Sequence, residues 1–127
     1  CRVPFGLSPQ RVREFVERGL VEAGLEGIRF EFMPPVLDAC YTSPNDLLVR
    51  RMKANVMAAN GIEPRFAIEF GSTDARYFRP RGVPTVIYGP RSHNMAAKDE
   101  FITIDDLVAI TKVHLATALD YLLDGNG

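Results

Sequence analysis

Apolar and polar positions recur with two different periods along this chain, and each change of period marks a new element. Val12, Phe15, Val16, Leu20 and Ala23 return at the three-to-four spacing of one helix face. Ser8 supplies a capping hydroxyl before them and Pro9 a preset φ at the first helical position, so a helix is predicted from there to Gly24. Ile-Arg-Phe-Glu-Phe-Met at 28–33 switches to period two, the pattern of a half-buried strand. From Pro34 to Thr42 the periodicity lapses and prolines dominate, which predicts a connector. Ser43-Pro44-Asn45-Asp46 repeats the capping logic, with Ser43 and Asp46 as a box-like pair. Leu48, Met52, Val56 and Ala59 then stripe a second helix that stops at Asn60-Gly61.

Beyond it the chain reads as a strand at 65–70, a short helix from Thr73 to Phe78, and a strand at 83–88 that is apolar on both faces, as buried parallel strands are. Thr103 with Asp106 opens a final helix through Leu107, Ile110, Leu115, Leu119 and Leu122, ending at Asp124-Gly125. Strands separated by helices predict an α/β fold with helices packed on a parallel sheet. Neither half holds enough strands for a stable sheet by itself, since isolated strand pairs are marginal in water. The chain also begins at Cys1 inside what reads as a strand, without an initiator Met. It is therefore expected to be part of a longer polypeptide.

Composition narrows the class only a little. With 127 residues, 46% hydrophobic and 24% charged, the chain is an ordinary globular sequence. No apolar run reaches the roughly 18 residues that a membrane span needs, and the amino end is not a signal peptide. A cytoplasmic protein is expected. A net charge of −1 gives no reason to expect nucleic acid or an anionic membrane as partner. Arg76, Arg79, Arg81 and Arg91 are a local exception, although arginines beside proline and glycine turns need no function. Cys1 and Cys40 lack metal-ligand spacing and read as free thiols.

Candidate chemistry gathers where the strand at 65–70 ends. Gly71-Ser72-Thr73-Asp74-Ala75-Arg76 is a polar turn at a strand's carboxyl end and a helix start, where α/β proteins meet ligands. His114 lies within the last helix, where histidines are commonly structural.

With Gly82-Val83-Pro84, Tyr88-Gly89-Pro90 and the acidic pair Asp99-Glu100 before Phe-Ile-Thr-Ile-Asp-Asp-Leu, that turn resembles the carboxy-terminal third of the M20 zinc amidohydrolases and peptidases. Acetylornithine deacetylase, succinyl-diaminopimelate desuccinylase and carboxypeptidase G2 belong to this group. The resemblance implies that residues 1–33 are the second half of an α+β lid and dimerisation domain, 34–42 a connector, and 43–127 the C-terminal part of the catalytic domain. It implies a homodimer formed through the lid, and a small N-acyl amino acid or peptide as substrate. Two zinc ions, or other divalent metals, would activate a water for amide hydrolysis. Their ligands and the glutamate base would lie upstream of Cys1, so the segment alone is expected to be inactive.

By position, Arg2 would grip a substrate carboxylate, Gly71, Ser72 and Thr73 would contact substrate, and Asp74 and Arg76 would support that turn. Ser72 stands where the family has glycine. The family places a zinc-binding histidine four residues before the position of Glu100, and Ala96 stands there. His93 is the local candidate for a metal contact, with a single-metal site, an upstream ligand or a catalytically altered subgroup as alternatives. A non-catalytic remnant that keeps dimerisation or ligand-binding surfaces is the rival reading.

Overall fold

The computed structural model describes residue 3 and residues 5–25, 27–34, 36–68 and 71–123. Helix α1 spans Pro9–Glu22. Ser8 is its N-cap in extended conformation, and its Oγ accepts from the Arg11 amide at 3.3 Å. Val12 is buried, and Val16 and Leu20 are half-buried along the same face, whereas Phe15 is exposed. The segment after α1 keeps its period of two. Phe30 and Phe32 are half-buried under the Arg13 guanidinium, 5.9 and 5.1 Å from their ring centroids. Arg29 and Glu31 are exposed and pair with each other at 2.7 Å.

Helix α2 covers Leu47–Asn60, and its N-cap is Asp46, not Ser43. The Asp46 Oδ1 accepts from the Leu48 amide at 2.9 Å. Ser43 is spent on the preceding turn, where its Oγ accepts from the Asn45 amide and its carbonyl from the Asp46 amide. At the other end Gly61 takes φ 68°, a left-handed conformation that costs glycine nothing, and its amide closes on the Met57 carbonyl at 2.8 Å. Helix α3 is the short Ala75–Phe78, continued by a 3₁₀ turn at Arg79–Arg81. Helix α4 runs over Ile104–Leu123. The Thr103 Oγ1 caps it by accepting from the Asp106 amide at 3.0 Å while donating to Asp106 Oδ2 at 2.8 Å.

The core lies where α2 and α4 pack along each other. Met52, Val56 and Val113 form it, with Val86 and Tyr88 packed against its side. A polar seam continues the contact. Thr117 is buried and donates to the Met52 sulfur at 3.6 Å, and Asn55 Nδ2 reaches Thr117 Oγ1 at 3.3 Å and Asp120 Oδ2 at 2.8 Å. Val113 and Thr117 therefore mark the inward face of α4. The stripe expected from periodicity points elsewhere: Leu107, Leu115, Leu119 and Leu122 are exposed. The helix is apolar on more than one side, and only the position of α2 selects the side that is covered.

The expected strands are the main departure. Among the described residues there is no strand ladder at 28–33, 65–68 or 83–88, and the one pairing is an isolated antiparallel bridge between His93 and Phe101. A strand exists only through lateral hydrogen bonds to a neighbour, and no such ladder joins these segments among the described residues. Side chains take over part of that work. Thr42 Oγ1 donates to the Thr85 carbonyl at 2.8 Å and accepts from the Thr85 amide at 2.9 Å. Arg79 adds bonds from Nε and a terminal nitrogen to the same carbonyl, at 3.2 and 2.9 Å, and one to the Cys40 carbonyl at 3.3 Å. The connector is thereby sewn to the apolar run 83–88. The helical part of the α/β expectation is present, and the sheet it called for is not formed by these residues.

Candidate functional site

Two polar loops carry the candidate residues, one before α3 and one before α4. In the first, the chain turns at Gly71-Ser72-Thr73 and enters α3 behind Asp74. Backbone bonds close the turn: the Arg76 amide donates to the Thr73 carbonyl at 3.3 Å and the Tyr77 amide to the Asp74 carbonyl at 2.9 Å. Asp74 makes no side-chain cap, although it holds the N-cap position of α3. Arg76 folds back over the turn. One terminal nitrogen donates to Ser72 Oγ, the other to the Tyr77 hydroxyl at 2.9 Å, and the guanidinium lies 4.8 Å from the Tyr77 ring centroid. Its Nε is buried without a hydrogen-bond partner. Gly71, Ser72 and Asp74 are exposed and Thr73 is half-buried. Arg2 lies outside the described residues.

The second loop is a closed hairpin. The His93 and Phe101 backbones exchange bonds of 3.0 and 3.2 Å, and their rings stack 4.7 Å apart at an interplanar angle of 7°. Glu100 clasps the loop from inside: one carboxylate oxygen accepts from Ser92 Oγ at 2.7 Å and the other from the Ala96 amide at 3.1 Å. Those bonds, Ser92 first and Ala96 second, hold the Glu100 carboxyl below its ordinary pKa, because both stabilise the ionised form. Asn94, Ala96 and Asp99 all take positive φ, at 57°, 58° and 59°. For Ala96 that conformation costs about 1–2 kcal/mol, which the Glu100 bond to its amide helps to offset.

A cleft of about 360 Å³ opens beside this loop, with Val56 and Ile110 on its apolar side and Asn60, Tyr88, Arg91 and Asp106 on its polar side. Tyr88 is held between the two long helices. Its hydroxyl accepts from Asn60 Nδ2 at 3.0 Å and its carbonyl lies 3.1 Å from His114 Nε2.

The fit to a metal is poor among these residues. No group of three or more His, Cys, Asp or Glu side chains comes together among the described residues. His93 is stacked face to face on Phe101 and stands without a second such ligand beside it among the described residues, and both Glu100 oxygens are engaged within the loop. Sequence reasoning pointed to the two loops but missed what holds them. The roles of Arg79, Asn60 and His114 rest on contacts across 26 to 39 positions of chain, for which no local pattern exists, and that of Glu100 on a loop closure within a few residues.

The sequence profile described as peptidase family M20/M25/M40 matches residues 13–120. Succinyl-diaminopimelate desuccinylase of Methylococcus capsulatus is 26% identical over 112 residues, covering 87% of this chain and 29% of that protein. The same-named proteins of Nitrosomonas eutropha and Magnetococcus marinus are 22% identical over 113 residues and 34% over 67, covering 89% and 53% of this chain and 28% and 18% of theirs. The chain thus spans less than a third of the length of the curated relatives it matches. No solved structure matches it.

Proposed function

This chain belongs to peptidase family M20/M25/M40, and from that premise we propose that it is the carboxy-terminal portion of a metal-dependent hydrolase that cleaves the amide bond of N-acyl amino acids or small peptides. The observation that carries the reading is the family match across residues 13–120, inside which the Gly71–Arg76 turn forms an ordered, largely exposed loop. The desuccinylase names of the relatives favour a dicarboxylic N-acyl group on an amino acid as substrate.

Within this reading Gly71, Ser72 and Thr73 line the substrate pocket, Arg76 keeps Ser72 in place, and Arg2 holds a substrate carboxylate through paired N–H donors. The protein works as a homodimer through the domain that contains residues 1–33. Zinc, or another divalent metal, would supply the activated water in such a hydrolase. The described residues of this chain do not build its site, and His93 offers one donor at most. The rival reading, an M20-like binding remnant without metal chemistry, is favoured by Ala96.

The test is Arg2→Ala in the complete polypeptide, assayed on matched carboxylated and neutral N-acyl substrates. A KM raised about tenfold or more for the carboxylated substrate alone is expected, from the loss of a charge-assisted bidentate contact. Equal effects on both would remove Arg2 from the site. Absence of any amide hydrolysis in the metal-loaded wild type would leave the remnant reading.

A further inference from the structure

Tyr88 is the root from which the His93 loop grows, and three contacts from the helix pair hold it. Asn60, the last residue of α2, donates to its hydroxyl at 3.0 Å. His114, in the middle of α4, meets its carbonyl at 3.1 Å, with the two rings 5.9 Å apart. The Tyr88 ring packs against the Met52, Val56 and Val113 cluster. A carbonyl can only accept, so His114 Nε2 is the donor in this contact.

The bond to the Tyr88 carbonyl governs where the chain goes next. It pins the peptide plane between Tyr88 and Gly89, and Gly89, without a Cβ, has the widest choice of onward direction. Beyond lie Pro90 and Arg91, then Ser92 and His93 at the foot of the hairpin. The far end of the loop is fixed independently, by the Thr103 cap on α4. Both tethers thus stand on the helix pair, and the near one depends on two side chains outside every recognised motif.

We propose that Asn60 and His114 are positioning residues, which set where the 92–101 loop, with His93 and Ala96, stands relative to the α2–α4 pair. Its consequence for turnover rests on the hydrolase reading above. Its structural content does not.

The experiment compares His114→Ala, His114→Gln and Asn60→Ala in the complete polypeptide. Loop placement is read from the His93 signals under ¹⁵N-histidine labelling, assigned by their loss in His93→Ala, together with the Ala96 amide. Turnover of an N-acyl amino acid is measured in parallel. His114→Ala is expected to shift the His93 and Ala96 signals and to lower kcat about tenfold with little change in KM, the size typical of losing a supporting contact. Gln can still donate to the carbonyl and is expected to restore both readouts to within about threefold. Unmoved His93 and Ala96 signals in folded His114→Ala would overturn the proposal. If that variant does not fold, Asn60→Ala carries the same test, since it removes only an exposed bond at the helix end. Signals that move without any change in turnover would support the positioning and sink the catalytic part assigned to the loop.

Discussion

Single side chains in this protein do work that backbone ladders do elsewhere, and Arg79 is the clearest case. Its guanidinium spans two carbonyls, Thr85 and Cys40, that belong to segments 45 positions apart in sequence. Arg79→Ala is expected to cost about 1–2 kcal/mol, read as a lower urea midpoint with an unchanged m-value. Arg79→Lys is expected to recover less than half of that, since an ammonium cannot reproduce the fork. Glu100 acts in the same way within one loop. Its pKa is lowered from the ordinary 4.5, so its carboxylate favours the closed loop above that value, and the contribution is lost as pH falls through the lowered one. The Ala96 amide resonance should therefore move toward its disordered position with a midpoint below 4.5, and Glu100→Gln should abolish that step. A midpoint at or above the ordinary value would mean that the clasp does not hold the loop in solution. Of the candidate residues, Gly71 to Arg76 and His93 were legible as polar residues in turns. Their clamps, Arg76 on Ser72 and Glu100 on Ser92 and Ala96, were not, because which side chain folds back on a loop depends on the loop's own conformation.

At the scale of elements, helix starts were the most legible feature and helix faces the least. Ser8-Pro9 and Thr103 with Asp106 cap α1 and α4 where sequence chemistry places them. Ser43 misled because the same hydroxyl serves a turn as readily as a cap, and Asp46, three residues on, had the better geometry. The face of α4 was ambiguous in principle, since leucines lie on more than one side. The energetic difference is testable in the 127-residue chain. Val113→Ala, at 0% exposure, is expected to cost about 2 kcal/mol, whereas Leu115→Ala, at 59%, should stay within about 0.5 kcal/mol. Equal losses in thermal or urea unfolding would show that the outer face of α4 is also covered in solution.

At the scale of the whole chain, many large apolar side chains stand exposed among the described residues. Met33 is 87% exposed, Ile68 77% and Ile104 78%, the first two within segments whose pattern calls for a half-buried strand and the third at the start of α4. Exposed apolar side chains in this number favour binding of apolar probes and association. The 127-residue chain should therefore enhance ANS fluorescence and sediment with a concentration-dependent mass. A monomer of constant mass that leaves ANS dark would show that these faces close on themselves in solution. The strands fail for a related reason. Their alternation survives at Phe30 and Phe32 against Arg29 and Glu31, yet no ladder bonds join this segment to a neighbour among the described residues.

The sequence by itself determined the family, the helices with the caps of α1 and α4, and the two polar loops. Those properties depend on residues close together along the chain, or on motifs read in order. Only the tertiary structure decided which side of α4 is buried, that Asp46 and not Ser43 begins α2, and that Arg79, Glu100, Asn60 and His114 hold the loops in place. Each of those outcomes is a competition between alternative partners, some a few residues away, as for Asp46 and Glu100, and others distant in sequence. A side chain's chemistry says that it will find one, and only the packed chain says which.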